Sequence, residues 1–288
     1  MSGQNRSNIK KILERFYAEY NFRERLAHDP IEFPHRYSDP GDIEVVGFIA
    51  ASLAYGKVGL FKPVIEKILG PCGKRPAEFI MNFSMKRDAG YLKGISYRFN
   101  REEDIVCLVY MLSCVLKEWG TLKKLFSNFY KDEDIDIRKA LAGFIGHFYE
   151  IDTSPVYGIN IKPNGLKQLL SNPRKGSACK RMNLFLRWMV RTGDIDFGIW
   201  DNILPNKLII PLDTHIAKIS KCFGLTRRAF ADWKMAEEIT ALLREFDPED
   251  PLKYDFALCH HGISGLCSGK KNNSTCSECA FSSVKAPK

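Results

Sequence analysis

A carboxylate stands where the sequence predicts the start of a helix in the second half of the chain. Asp213 follows the mostly apolar residues 208–212, and Ile216, Ile219 and Phe223 keep the spacing of a buried helical face. Asp is a preferred N-cap residue, and the helix dipole stabilises its negative charge. An acid that is held ionised and fixed in direction can also stabilise positive charge on a reacting group or activate a water. Both interpretations, a helix cap and a catalytic carboxylate, are open on these grounds.

The last four of the nine cysteines are spaced as metal ligands would be. Two of them form a C-x2-C pair, and a third lies nine residues before that pair. Four thiolates suit a [4Fe–4S] cluster or zinc, whereas three thiolates with His260 or His261 would suit zinc. Thiols that bind no metal are the remaining alternative. The candidate ligands are Cys259, Cys267, Cys276 and Cys279.

Two predicted helices joined by a Pro/Gly turn precede Asp213. Residues 166–170 are predicted as a short helix, 171–176 as a turn and 177–191 as a long helix, which is the order of a helix-hairpin-helix. In DNA-binding hairpins, backbone N–H groups of the turn contact a phosphate at the start of the second helix. The hairpin residues predicted to contact nucleic acid are Arg174, Lys175, Gly176 and Arg181.

The segment around Asp213, Pro-Leu-Asp-Thr-His-Ile, resembles the Asp-Thr-His signature of the helix-hairpin-helix DNA glycosylase superfamily, which includes endonuclease III. The whole chain is also similar to an uncharacterised conserved prokaryotic family that is distantly related to that superfamily. The closer similarity names no activity, whereas the distant one implies cleavage of an N-glycosidic bond in DNA with Asp213 as the catalytic carboxylate. The segments that carry the closer similarity are residues 42–44, 53–56, 180–191, 211–215 and 250–256.

The resemblance also bears on the nucleophile. In bifunctional superfamily members, a lysine early in the second hairpin helix has that role. Here the usual hairpin motif Leu-Pro-Gly-Val-Gly is absent, and an ungapped alignment on Pro173 and Gly176 puts Ala178 at the lysine position. Lys180 lies two residues later, which is about half a helical turn, so it would face elsewhere unless the hairpin turn is longer. Lys180 is a candidate catalytic residue, with a phosphate contact or a solvated lysine as alternatives. Without a placed lysine, water would be the nucleophile and the enzyme would be monofunctional.

Two other features follow from the resemblance. Superfamily members probe the minor groove with a helix pair that corresponds to the surroundings of residues 55–57. Tyr55 and Lys57 are therefore candidate nucleic-acid contacts, with Tyr55 either a wedge or ordinary packing. Several members also end in a [4Fe–4S] loop with the pattern C-x6-C-x2-C-x5-C. The first spacing is x8 here and Lys285 replaces the last cysteine, so Cys259 would have to complete the set.

Charge and composition are compatible with a nucleic-acid partner. The chain has 288 residues, a net charge of +9 and a pI of about 9.0. A basic protein suits an anionic partner, here double-stranded DNA, although charge also serves solubility. No apolar run is long enough to span a membrane, and the N-terminus lacks the apolar region of a signal peptide. We therefore expect a cytoplasmic monomer.

The coarse secondary structure is helical almost throughout, with a short extended piece predicted at 156–161 and a short helix and loop at 194–205. Arg187 and Arg191 are predicted either to pair with nearby acids, Asp194, Asp196 or Asp201, or to contact DNA. The other predicted helices are residues 6–28, 45–55, 60–69, 102–117, 122–130, 137–149, 214–223, 232–246 and 247–259.

These observations predict an all-α, two-lobed helix-hairpin-helix glycosylase-like fold with a cysteine loop at its end. Residues 1–41 would join the C-terminal lobe, 42–192 would form the central lobe, and 193–288 would carry Asp213 and the cysteines. The predicted function is a DNA glycosylase of DNA repair. The alternatives are a non-catalytic nucleic-acid-binding protein of the same fold and a metal-stabilised structural or interaction module.

Overall fold

The computed structural model describes residues 3–264 and residue 281. Within this part of the chain nearly all regular structure is helical, which confirms the all-α prediction. The α-helices are α1 (Gly3–Ala18), α2 (Phe22–Leu26), α3 (Pro40–Leu53), α4 (Val58–Leu69), α5 (Pro76–Met81), α6 (Met85–Asp88), α7 (Glu102–Trp119), α8 (Leu122–Phe129), α9 (Arg138–Glu150), α10 (Ser154–Tyr157), α11 (Asn164–Leu169), α12 (Lys180–Val190), α13 (Thr214–Phe223), α14 (Trp233–Phe246) and α15 (Asp255–Ile263).

Shorter segments connect these helices. Strands β1 (Thr192–Gly193) and β2 (Asp196–Phe197) pair as an antiparallel hairpin. The 3-10 segments are Pro30–Glu32, Pro34–Arg36, Gly70–Cys72, Ala89–Leu92, Pro173–Lys175 and Pro205–Lys207. No single helix of the described residues is long and apolar enough to span a membrane; α7 and α8 pass that test only together, and they meet at a bend of 74°.

Helix α3 is the centre of the core. Every residue from 42 to 53 is buried, and the helix packs against α12 on one side and α5 on another. Phe48 lies in this helix, with its ring stacked on Phe148 at 5.4 Å and edge-on to Phe185 at 5.4 Å. Aromatic pairs at such distances add to the stability that burial of apolar area provides. The nearly unbroken apolar run of α3 therefore reflects a helix that is covered on all sides.

The two carboxylates of α3 cap other helices. Asp42 accepts a hydrogen bond from the backbone N–H of Ala77 in the first turn of α5, at 2.8 Å. Glu44 accepts from the backbone N–H groups of Leu122 (2.7 Å) and Lys123 (2.8 Å) at the start of α8. It also accepts from Nε1 of Trp200, at 2.9 Å. Burial raises the pKa of Glu44 to about 7, although these hydrogen bonds to its charged form oppose the rise.

The structure corrects several of the predicted elements. The N-terminal helix ends at Ala18, and a second helix begins after Asn21, whose side chain accepts from the backbone N–H of Glu24 at 3.2 Å. The segment predicted as extended at 156–161 contains the helical turn α10 instead. Residues 192–197 form a β-hairpin because Asp194, with φ of +56°, begins the two-residue turn 194–195 between the paired residues Gly193 and Asp196.

The second helix of the predicted hairpin also starts later than expected, at Lys180 rather than residue 177. Ser177 forms an isolated antiparallel bridge with Asp232, and Cys179 has a left-handed backbone with φ of +47°. A left-handed residue cannot continue a right-handed helix, so the hairpin turn is three residues longer than the pattern predicts.

The N-terminal helix packs against the end of the described chain. The ring of Phe16 lies 5.5 Å from His261 and 4.7 Å from Phe281. The hydroxyl of Tyr254 donates to Glu14 at 2.6 Å. These contacts close the side of the molecule that carries α13 and α15.

Candidate functional site

A cleft of about 650 Å³ lies where the end of α3 and the starts of α12, α13 and α15 meet. Each helix contributes residues from one terminus, so backbone polar groups and charged side chains converge on the same space. The charged and thiol groups that line the cleft are Asp29, Lys57, Lys180, Arg187, Asp213, Asp255 and Cys259.

Asp213 uses its two carboxylate oxygens for different contacts. Oδ1 accepts from the backbone N–H groups of His215 (2.9 Å) and Ile216 (2.8 Å), which confirms the predicted N-cap of α13. Oδ2 faces the cleft, where Lys180 Nζ lies at 3.4 Å and the thiol of Cys259 donates to it at 3.6 Å. The cap therefore fixes the direction of the carboxylate and leaves Oδ2 facing the cleft.

The longer hairpin turn brings Lys180 to Asp213. Lys180 is the first residue of α12, and its side chain is one-third exposed in the cleft. Burial lowers the pKa of Lys180, but the Asp213 carboxylate outweighs this effect and the net pKa is raised. The three non-helical residues 177–179 precede Lys180, so that it lies in the first turn of α12 and lines the cleft.

Cys259 lies inside the cleft. The Cys259 thiol donates a hydrogen bond to Asp213. Burial, together with that carboxylate, raises the pKa of the thiol well above the usual range. A metal ligand must be a thiolate, and a carboxylate 3.6 Å away disfavours one. Cys259 is therefore disfavoured as a ligand in this position. The four-cysteine site stays a prediction, because the other predicted ligands, Cys267, Cys276 and Cys279, lie outside the described residues.

The two histidines next to Cys259 are both buried. His260 Nε2 lies 3.1 Å from Asp29 Oδ2, and His261 packs against aromatic rings, where burial lowers its pKa. Among the described residues, no three His, Cys, Asp or Glu side chains are grouped closely enough to hold a metal.

The hairpin residues divide between the surface and the interior. Arg174, Lys175 and Gly176 are exposed, and Gly176 has a left-handed φ of +78°. The carbonyl of Gly176 accepts from the backbone N–H of Trp233 at 3.0 Å, which ties the turn to α14. Arg174 and Lys175 are free to face an anionic partner, and no side chain caps the start of α12.

Arg181, also predicted to contact nucleic acid, points inward. It donates through Nη1 to the carbonyl of Ser52 at 3.0 Å, and its guanidinium lies 5.0 Å from the centre of the Tyr55 ring. Burial without a carboxylate partner lowers the pKa of Arg181 to about 10. In this position Arg181 supports the cleft wall instead of facing outward beside Arg174 and Lys175.

Tyr55 is part of the cleft wall. Its ring is half-buried, and its hydroxyl donates to the carbonyl of Tyr97 at 2.9 Å and to Asn100. Because the Tyr55 side chain is held by its half-buried ring and by its hydroxyl, the structure favours a packing role for Tyr55 over insertion into DNA as a wedge. Lys57 is exposed at the start of α4, on the rim of the same cleft.

Buried ion pairs form the floor of the cleft, which confirms the predicted acid partners Asp194 and Asp196. Arg187 pairs with Asp255 and, at 3.3 Å, with Asp196. Arg191 pairs with Asp194 and Asp196, and also with Asp250 of the 250–256 segment. Burial raises the pKa of Asp255 to about 6, and Arg187 opposes the rise. The third predicted partner, Asp201, pairs instead with Lys123 at 2.5 Å.

Sequence reasoning missed Asp29 and Asp255 as cleft residues. Asp29 accepts from the backbone N–H of Ile31 at 3.0 Å through Oδ1, while Oδ2 faces His260. The Asp-Pro pair at 29–30 signalled only the end of a helix, and Asp255 lay within a helical pattern. Neither signal indicates which residues face them across the fold.

Comparison with known proteins gives a family and no activity. No curated protein matches the chain, and no solved structure matches it. One family profile, described as Protein of unknown function (DUF2400), matches residues 29–264. The matched region includes Lys180, Asp213 and Cys259 and ends before the last three cysteines. Because the match covers most of its length, the chain belongs to the DUF2400 family.

Proposed function

We propose that this protein is an enzyme that cleaves an N-glycosidic bond in double-stranded DNA, with Asp213 and Lys180 as its catalytic residues. The observation that carries the proposal is the 3.4 Å separation of Lys180 Nζ and Asp213 Oδ2 inside a cleft of about 650 Å³. A cleft of this volume is large enough for a small organic group such as a nucleoside. The exposed Arg174 and Lys175 beside the cleft, and the net charge of +9, suit a phosphate backbone.

Asp213 supplies the charge that the reaction needs. Positive charge builds on the sugar as the base departs, and a carboxylate fixed beside C1′ stabilises it. The two backbone N–H groups on Oδ1 hold the carboxylate in one direction, so little reorganisation is needed during the reaction.

Lys180 supplies the nucleophile. The bond between C1′ and the base breaks while Asp213 is a carboxylate, and the electron pair leaves with the base. Asp213 then takes one proton from the Lys180 ammonium and passes it to the base, and the resulting amine bonds to C1′. A second proton moves from the lysine nitrogen to the ring oxygen O4′ as the C1′–O4′ bond breaks, which leaves the free base, the carboxylate and a protonated C1′=N Schiff base that borohydride can reduce. Because Asp213 raises the pKa of Lys180, we expect this step to accelerate as the pH rises above neutral.

The test is base release from a panel of duplex oligonucleotides that each carry one damaged base, followed by trapping of the lysine adduct with borohydride. We expect base release and a trapped adduct from the wild type, and neither from Asp213→Asn. Asn is also a good N-cap residue, so this variant should remain folded and bind DNA. Lys180→Gln should lose the adduct. Base release by Lys180→Gln at the wild-type rate would show that water is the nucleophile.

The non-catalytic alternative has one observation in its favour, the ion pair that keeps Lys180 protonated at neutral pH. In that case the wild type releases no base from any substrate, yet log affinity for duplex DNA falls linearly with log salt. A flat salt dependence together with no base release would refute both nucleic-acid functions and leave a structural or interaction module.

We also propose that the chain binds a metal, as a [4Fe–4S] cluster or zinc, with the last three cysteines as three of its four ligands. The C-x2-C pair of Cys276 and Cys279 is the sequence feature behind this proposal. The bound group would stabilise the chain after α15, and no catalytic step depends on it. An absorbance spectrum with elemental analysis of anaerobically purified protein distinguishes iron, zinc and no metal.

A further inference from the structure

A tight turn beside the cleft presents an exposed aromatic ring on a rigid base. Tyr97 and Asn100 pair through two backbone hydrogen bonds, of 2.9 Å and 2.8 Å, and the two residues between them form the tip. Tyr97 and Asn100 are buried, whereas the Phe99 side chain at the tip is 69% exposed. Arg98 has φ of +52°, which is an uncommon conformation for a residue with a side chain.

The base of this tip is fixed to the cleft wall and to the hairpin. The hydroxyl of Tyr97 donates to the carbonyl of Tyr55, and the hydroxyl of Tyr55 donates back to the carbonyl of Tyr97. Asn100 donates through Nδ2 to the carbonyl of Gly165 in α11, at 2.8 Å. The tip therefore moves with the cleft wall and the first hairpin helix, not as an independent loop.

Gly56 at the cleft rim shows how closely the tip is seated. A Cβ atom at this position would lie 2.6 Å from both the Tyr97 hydroxyl and Nη1 of Arg98. Its φ of +82° is also a conformation that glycine adopts readily. Glycine therefore suits this position through its backbone conformation, and it also lets the Tyr97 and Arg98 side-chain ends approach the rim.

The chemistry of the tip is that of a stacking platform with an attached cation. The guanidinium of Arg98 lies 5.4 Å from the Phe99 ring centre and 5.8 Å from the Tyr55 ring centre. Nucleobases stack on exposed aromatic rings, and an arginine beside them contacts the phosphate backbone. An isolated exposed Phe needs no explanation. A strained residue next to it, held by two buried anchors, does call for one.

We propose that Phe99 stacks on an unpaired or displaced base of the nucleic acid whose sugar lies in the cleft, while Arg98 contacts the adjacent phosphate. This inference rests on the proposed function for its partner, and it assigns the stacking contact to Phe99 rather than to Tyr55. Tyr55 and Tyr97 act as the support that sets the height of the Phe99 ring above the cleft rim.

The test measures binding to two duplexes, one intact and one with a single abasic-site analogue opposite 2-aminopurine. All variants are made in the Asp213→Asn background, so that the DNA is not cleaved. Loss of one base–aromatic stack weakens binding by roughly 5- to 150-fold. We expect Phe99→Ala to lose that factor on the abasic duplex, with the salt dependence unchanged. We also expect it to lose the change in 2-aminopurine fluorescence on binding, and Phe99→Trp to restore both.

Two further variants separate the roles of the tip. Arg98→Gly suits the left-handed backbone and removes the cation, so it should reduce the slope of log affinity against log salt by about 1. Tyr91→Ala removes another exposed aromatic ring, one that lies 6.5 Å from Phe79, and should bind as the background protein does.

Equal binding by Phe99→Ala and its background on both duplexes overturns the stacking proposal, as does an equal loss in Tyr91→Ala. If such a result accompanies normal base release by the wild-type protein, only the role of the tip is refuted. Phe99-dependent binding without base release refutes the enzymatic function and leaves the tip assigned. No binding to either duplex refutes both.

Discussion

Replacing Glu44 with Gln should change how the stability of this protein depends on pH. Glu44 lies in α3 and accepts three hydrogen bonds, two from the start of α8 and one from Trp200. Burial nevertheless raises its pKa from an ordinary value of 4.5 to about 7. Gln has the same shape and cannot ionise, so the comparison isolates the charge.

The direction of the change in the free energy of unfolding with pH follows from proton binding to Glu44. Between pH 4.5 and pH 7 the folded protein keeps a proton on Glu44 that the unfolded chain releases, so the free energy of unfolding falls as the pH rises. At about 1.4 kcal/mol per pH unit, the full loss is about 3 kcal/mol, and about 2 kcal/mol of it develops between pH 5.5 and pH 7.5. Below pH 4.5 the contribution is fully present; above pH 7 it is lost.

The assay is urea denaturation of the wild type and Glu44→Gln at pH 5.5, 6.5 and 7.5. The buried acids near Arg187 titrate in both proteins and cancel in the difference. We expect Glu44→Gln to gain about 2 kcal/mol relative to the wild type from the lowest to the highest pH. Asp152→Asn is the control: Asp152 is exposed and hydrogen bonds to Ser154 lower its pKa, so its difference should be constant. A constant difference for Glu44→Gln as well would mean that its hydrogen bonds outweigh burial and keep it ionised.

Three further predictions concern the cleft and the cysteines. Arg187→Met leaves Asp255 buried without its cation, so the free energy of unfolding in urea should fall by about 3–5 kcal/mol; a fall below about 1 kcal/mol would contradict the buried ion pair. Gly56→Ala puts a side chain on a residue with φ of +82° and places its methyl group 2.6 Å from two side-chain atoms, so thermal unfolding should report a loss of about 1–3 kcal/mol; an unchanged melting temperature would argue against strain at this position. Cys276→Ser should remove bound iron or zinc, whereas Cys259→Ser should not, because the Cys259 thiol is hydrogen-bonded to Asp213. Equal metal loss in both variants would show that Cys259 is also a metal ligand.

Helix positions were predictable where local signals agreed. Asp213 and Asp232 both precede apolar residues at helical spacing, and both cap the helices that follow them. The β-hairpin after α12 was missed because an Asp, not a second glycine, takes the left-handed position at residue 194. The late start of α12, at Lys180 instead of residue 177, was missed for a related reason. Cys179 adopts a left-handed backbone that its residue type does not suggest.

The candidate site also has one part that the sequence predicts and another that depends on tertiary structure. From the sequence alone, Asp213 could be assigned as a carboxylate held at a helix start, because an N-cap depends on neighbours two and three residues away. The approach of Lys180 and Cys259 to that carboxylate is a tertiary property. It depends on three extra residues in a turn and on helices that are distant along the chain. The turn that carries Phe99 was likewise invisible in the sequence, since its rigidity comes from Tyr55 and Gly165, which contact it only after folding.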